Sequence, residues 1–205
     1  MTPRDRAGGK TLNLDRREVV ARLLADAGDL LVITGLGSST WDCATVMDRD
    51  LNFYLRGAMG SASSIGLGLA LAQPQRRVLV ITGDAEIMMT AGALATIGAQ
   101  GPKNLSIVVL DNECYGETGM QPSLTAFGAD LGAMAAGAGF KVTETIWDES
   151  ALMRVLPAIL VGDGPALHAV KVKAEKDPHT IMPPGDGATL KDRFRLALLG
   201  PDAIA

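Results

Sequence analysis

The chain has 205 residues, of which 47% are apolar and 20% charged, a composition that suits one globular domain and excludes a low-complexity polymer. A formal net charge of −4 leaves no basic surplus for nucleic acid or an anionic membrane surface. The two cysteines, Cys43 and Cys114, lie far apart and suggest neither a zinc pattern nor a disulfide framework, and no run nears the roughly 20 apolar residues of a membrane span.

Aromatic residues make up only 4%, while glycine reaches 24 residues, so the core is expected to use small and branched aliphatics with backbones close together. The polar N-terminus lacks the apolar stretch of a signal peptide, and the expected location is the cytoplasm. Residues 1–12 are expected to form a flexible N-terminus, followed by a single domain over 13–205 that ends in a strap and helix over 177–205.

In chain order, Asp15 and Glu18 have capping-box spacing, and Val19, Val20, Leu23 and Leu24 give the following helix one apolar face, with Gly28 as a plausible cap. Residues 30–34 read as a strand. Gly35-Leu-Gly-Ser-Ser-Thr then reads as a loop, in which Ser38 or Ser39 either donates to a phosphate or merely faces water. As a dinucleotide motif it fails, because Thr40 stands where the third glycine belongs. Residues 52–55 form a short strand leading to Gly57-Ala58-Met59-Gly60. Residues 61–72 are small and apolar on nearly every face, which predicts a helix buried all round, by close contact within the domain or between two chains.

The central stretch follows. Residues 78–82 are a short apolar run ended by Gly83, a buried strand. Residues 87–100 predict one buried helix, and 105–110 a second strand ending at Asp111-Asn112. Strand, helix and strand make a βαβ unit with parallel strands covered on both faces. The fold class is therefore α/β, a three-layer doubly wound and mostly parallel sheet. Glu113 to Gly119 holds two glycines and few anchors, which suggests a mobile active-site loop. Tyr115 and Glu117 either point to a substrate or are solvated loop residues. A short Ala-rich helix over 130–139, an edge strand over 141–145, a helix over 149–161 and a last strand over 166–172 complete the pattern. His168 reads as a core or edge histidine. Residues 177–187 read as an irregular strap carrying His179, a surface histidine unless it reaches a partner chain's site. A terminal helix covers 191–199.

In an open α/β sheet, ligands bind outside the carboxyl ends of the strands. Asp84 and Asn112 should thus lie side by side although 28 positions separate them. A carboxylate, an amide oxygen and a nearby carbonyl form the lightly charged oxygen set that Mg²⁺ prefers. The amides opening the helix after Asp84 suit an anion. A diphosphate held through Mg²⁺ is the natural guest.

These residues carry a resemblance. Gly83-Asp84-Ala85, a gap and Asp111-Asn112 resemble the thiamine diphosphate signature, GDG, about two dozen residues, then NN. The resemblance implies that thiamine diphosphate and Mg²⁺ are the cofactors and that Asp84, Asn112 and the carbonyl of Cys114 bind the metal. It implies cofactor contacts from Ser38, Ser39, Gly83, Ala85, Glu86, Tyr115 and Gly116. It also implies that a Gly57 carbonyl accepts from the cofactor's exocyclic amine. Met59 would prop the cofactor in its bent form, though the residue also fits as an ordinary core methionine. The flanks, NFYLRGAMGSASSIGLGLALA and DNECYGETGMQPS, resemble the β subunit of sulfopyruvate decarboxylase and the C-terminal domain of phosphonopyruvate decarboxylase. By eye the likeness runs roughly from Leu30 to Val172. Two departures stand out. Ala85 replaces the third glycine, at a cost of about 1 kcal/mol if that position needs a positive φ. Asp111 replaces the first asparagine, which is not the ligand.

The family's catalytic Glu lies in a separate pyrimidine-binding domain, for which this chain has no room. The resemblance thus implies a PP-domain β subunit of a 2-oxo-acid decarboxylase in a hetero-oligomer with an α-type subunit, together with self-association. The substrate class is a small 2-oxo acid, sulfopyruvate or phosphonopyruvate foremost. An acetohydroxyacid-synthase-like carboligase subunit and a non-catalytic cofactor-binding or scaffolding subunit are the alternatives.

Overall fold

The computed structural model describes residues 11–175 and 181–204. The strands are β1 (Leu31–Thr34), β2 (Asn52–Tyr54), β3 (Val78–Gly83), β4 (Leu105–Asp111), β5 (Cys114–Tyr115), β6 (Gln121–Pro122), β7 (Val142–Ile146) and β8 (Ala166–Lys171). β5 and β6 pair as a small antiparallel ribbon, and the other six form one sheet in the order β2-β1-β3-β4-β8-β7. Every pair within that sheet is parallel. The helices are α1 (Arg16–Leu24), α2 (Ser38–Met47), α3 (Ala62–Ala72), α4 (Asp84–Met89), α5 (Gly92–Gln100), α6 (Leu131–Gly137), α7 (Glu149–Val161) and α8 (Gly187–Leu199). None of them is long and apolar enough to cross a membrane.

Strand side chains alternate between the two faces. Leu79 and Ile81 of β3 pack with α1, α2 and α7, while Val78 and Val80 pack with α3, α4, α5 and α6. Both faces are covered, so the strands read as unbroken apolar runs. The expected three-layer architecture holds, with β7 as the expected edge strand.

Several local expectations change. Asp15 caps α1 through the amides of Arg17 and Glu18, but α1 ends at Leu24 with Ala25 as its cap. Gly28, at φ +43°, belongs to the turn beyond. The loop expected after β1 stops at Gly37, because α2 begins at Ser38. Its sequence, rich in Ser, Thr, Asp and Cys, has weak helix propensity. Burial of Thr40, Cys43 and Ala44 supplies what propensity lacks.

The single helix expected over 87–100 is two. Thr90 leaves the helical region at φ −127°, and its hydroxyl donates to the Gly60 carbonyl at 2.7 Å. α3 is buried on one face only, through Ala62, Ser63, Gly66, Leu67 and Ala70, with Gly68 and Leu71 exposed. A Cβ on Gly66 would lie 2.3 Å from Val80, so this glycine lets the helix settle onto the sheet. α8 starts at Gly187, four residues earlier than expected, because Asp186 caps it. Residues 1–10 and His179 lie outside the described residues.

His168 is a core histidine, 1% exposed, and neither ring nitrogen has a hydrogen-bond partner among the described residues. Burial pushes its pKa down to about 4, against about 6.5 in an unfolded chain. The unfolded state then binds the extra proton first, so stability is full above pH 6.5 and falls as pH drops toward 4. The expected loss is up to about 3 kcal/mol. Thermal melts at pH 7 and pH 4.5 should show a smaller drop for His168→Leu than for the wild type. Equal drops would refute this account.

Candidate active site

The site forms where the chain changes direction. β1 leads into α2 on one face of the sheet, and β3 leads into α4 and α5 on the other. The divergence opens a crevice at the carboxyl ends of β1, β3 and β4. A cavity of about 480 Å³ fills it, within the range of small-molecule and cofactor sites. Its inner wall holds buried Ser39, Asp84 and Glu86. Its mouth carries Met89 and Leu124, 65% and 48% exposed. Ser38, Met59, Gly83, Ala85, Asn112, Cys114, Tyr115 and Gly116 also line it. Of the residues expected at the site, Gly57 alone is not among the lining residues.

Asp84 opens α4 directly after β3 and is 2% exposed. Its Oδ2 accepts from the Ser123 hydroxyl. The Thr125 hydroxyl lies 3.1 Å from the same oxygen and 2.8 Å from Asp111 Oδ1. Thr125 has one proton for two carboxylates, so acceptors outnumber donors. Asp111 is matched by Lys171, whose Nζ lies 2.7 Å from Asp111 Oδ2 and 2.9 Å from Glu113 Oε1. Asp84 has no ion pair of its own among the described residues. Burial, and then the Asp111 charge, push its pKa up to about 6, against the pull of the Ser123 and Thr125 hydroxyls. A cation beside Asp84 would reverse that shift.

The other donors come from a tight turn after β4. Asn112 Oδ1 accepts from the Cys114 amide at 3.0 Å, and Asp111 Oδ1 from the Glu113 amide at 3.1 Å. Glu113 takes φ +60°, a conformation that non-glycine residues adopt only when their surroundings hold them there. Here Lys171 grips its carboxylate. Among the described residues no group of three or more His, Cys, Asp and Glu side chains could hold a metal. What Asp84, Asn112 and the Cys114 carbonyl could take is a hard cation that keeps other oxygen ligands, not a thiolate-and-imidazole metal.

Residues 35–170 match the family described as thiamine pyrophosphate enzyme, C-terminal TPP binding domain. The chain belongs to this family.

Relatives of this TPP-binding domain agree. It is 44% identical over 160 residues to sulfopyruvate decarboxylase subunit beta of Methanothermobacter thermautotrophicus, covering 78% of this chain and 83% of that one. It is 36% identical over 199 residues to phosphonopyruvate decarboxylase of Streptomyces viridochromogenes, covering 97% of this chain and 50% of that protein's length. A solved structure of a protein from Mycobacterium smegmatis shares the fold at a TM-score of 0.67 and 24% identity. That match covers 80% of this chain and 32% of the other.

The fold also bears on two readings of the sequence. Ala85 lies in the first turn of α4 and not at positive φ, so the expected strain of replacing the third glycine does not arise. The loop expected to be mobile is the β5–β6 ribbon, whose strand residue Tyr115 and turn residues Gly116 and Glu117 line the cavity.

Several site residues escaped sequence reasoning. Ser123 and Thr125 are one, a Ser-x-Thr set right after the ribbon, and that spacing was the available signal. Lys171 is another, at the end of an apolar strand where a lysine is out of place. Arg16 also lines the cavity and pairs with buried Asp42. Nothing in its helical sequence marked it.

Proposed function

We propose that this TPP-binding domain is the β subunit of a 2-oxo-acid decarboxylase and holds thiamine diphosphate through Mg²⁺. The observation that carries the metal is the acceptor excess at Asp84, a buried carboxylate without a cation next to two neutral oxygen donors. The donor set and the 480 Å³ cavity fit the cofactor. Asp84, Asn112 and the Cys114 carbonyl would hold the metal. Ser38 and Ser39, at the first turn of α2, would face the diphosphate with the helix amides behind them. Met59 would support the ring end. When bound, thiamine diphosphate supplies the carbon nucleophile and the electron sink that loss of CO₂ from a 2-oxo acid requires. The chain's own part is to bind, orient and keep water from the inner wall.

The partner is an α-type pyrimidine-binding subunit carrying the catalytic Glu. Two things support it: relatives of similar length are named subunits beta, and the cavity mouth is rimmed by exposed Met89 and Leu124. Self-association through the open face of α3 belongs to the same proposal. Sulfopyruvate and phosphonopyruvate are the proposed substrates, since proteins named for them match across the site. Acetolactate synthase isozyme 1 large subunit of Escherichia coli, 30% identical over 142 residues, keeps carboligation as the second reading.

The test uses the full chain with its co-purified partner, thiamine diphosphate and Mg²⁺, offered each 2-oxo acid in turn. Release of CO₂ with an aldehyde product is the expected result. A ligated hydroxy-ketone would favour the second reading. Cofactor binding without turnover in any combination would leave a scaffolding subunit.

A further inference from the structure

Glu86 has a use that cofactor contact does not exhaust. It is 4% exposed, and no ion pair reaches it among the described residues. Its carboxylate instead collects donors from three separate segments. Oε2 accepts from the Leu36 amide at 2.9 Å, in the turn after β1, and from the Thr82 hydroxyl at 2.9 Å, near the end of β3. Oε1 accepts from the Gly60 amide at 3.2 Å, in the loop after β2. Gly35 makes room for it: a Cβ there would lie 1.8 Å from Oε2. Gly60 is held from its other side as well, where Thr90 donates to its carbonyl at 2.7 Å. The break between α4 and α5 places Thr90 for that bond. One short stretch of chain, 86–90, thus grips the Gly60 backbone by both its amide and its carbonyl, and fastens the Leu36 turn as well.

The two fastened loops form two walls of the cavity. Leu36, Ser38 and Ser39 stand on one, and Met59 on the other. We propose that Glu86 is a positioning residue that sets the spacing of these walls, so that thiamine diphosphate is gripped at both ends at once. The inference rests on the proposed cofactor reading. Its physical core is that two carboxylate oxygens accept in three directions. A glutamine cannot do so: its oxygen keeps the place that meets both Leu36 and Thr82, and its NH₂ then faces the Gly60 N–H on the Met59 wall. One wall would then be released while the side chain's volume stayed the same.

The experiment separates whole-cofactor binding from binding at one end. The full chain with its partner subunit is titrated calorimetrically, in Mg²⁺, with thiamine diphosphate and separately with inorganic pyrophosphate. In the proposed reading pyrophosphate engages the metal and the Ser38–Ser39 wall and leaves the Met59 wall empty. Glu86→Gln is expected to weaken thiamine diphosphate about tenfold and to leave pyrophosphate within about twofold. A residue that merely supports the fold would weaken both alike or neither, and either result overturns the inference. Should Glu86→Gln fail to fold, Thr90→Val decides. It removes the carbonyl-side grip on Gly60, and the same cofactor-selective loss is expected; unchanged or equal losses overturn the proposal. Wild type that binds neither ligand would instead sink the cofactor reading, and this inference with it.

Discussion

Asp84→Ala is expected to weaken Mg²⁺-dependent thiamine diphosphate binding by at least about 100-fold. Loss of an outer-shell partner of a metal ligand already costs about 10- to 100-fold, and Asp84 would be the only charged ligand. Asn112 and the Cys114 carbonyl are neutral oxygens and cannot offset the dehydration of Mg²⁺. The diphosphate would then meet the buried Glu86 carboxylate of the cavity wall with no cation between them. Calorimetric titration of wild type and variant, with and without Mg²⁺, measures this. Wild-type affinity in the variant would remove the site from its proposed place.

Stability should move the other way. Without Mg²⁺ the Asp84 pKa is raised to about 6, from about 3.9 in an unfolded chain. An acid with a raised folded pKa stabilises the fold when protonated, and that contribution is lost as pH rises through 6. Asp84→Asn keeps the shape and drops the charge. At pH 7 and without Mg²⁺ its melting temperature should match or exceed the wild type's. Mg²⁺ with cofactor should raise the wild type and leave the variant nearly unmoved. A residue kept for the fold would lose stability under both conditions.

Lys171→Met is expected to cost about 3–5 kcal/mol of stability, the usual price of removing one partner from a buried ion pair. Lys171 is nearly buried between Asp111 and Glu113. Burial alone would lower its pKa, but the two carboxylates more than offset that and hold it above its ordinary value. Without the ammonium, Asp111 becomes a buried charge with no cation, and Glu113 loses a hold on its positive φ. For a chain of this size that is a fall of roughly 10 °C in melting temperature. The double variant Lys171→Met/Asp111→Asn should recover much of the loss, because the stranded charge is gone. Denaturant melts of the two single variants and the double variant give the coupling. A loss below about 1 kcal/mol for Lys171→Met would contradict the account. The same pair explains why Asp111 is tolerated where the thiamine signature has asparagine: the extra charge is matched from the neighbouring strand β8, where Lys171 pairs with Asp111 in register.

Legibility was uneven along the chain, and the reasons are local. β3 and β4 were readable because both faces are buried, which leaves an apolar run ended by Gly83 or by Asp111-Asn112. Asp84 and Asn112 were readable because strand ends in a parallel sheet face one rim, whatever lies between them. α2 was not, because its helix depends on packing that the Ser- and Thr-rich sequence does not announce. The break at Thr90 was hidden too, since it comes from a hydrogen bond to Gly60, 30 positions away.

By itself, the sequence determined the layer architecture and the place of the cavity, because periodicity and turn chemistry are written in neighbouring residues; the expected lining came largely from the family resemblance, and Arg16, Leu36, Met88, Met89, Leu110, Thr118 and Leu124 joined it only in the fold. It also settled, through the signature and its spacing, which family the chain belongs to. Only the tertiary structure decided how the charges are matched. That Lys171 serves Asp111, that Ser123 and Thr125 serve Asp84, and that Glu86 ties the Leu36 and Gly60 loops together are contacts across 26 to 60 positions. Such partners share no period or motif. They meet because strand order and crossover direction bring them to one rim, and burial then makes each unmatched polar group costly enough to need its partner.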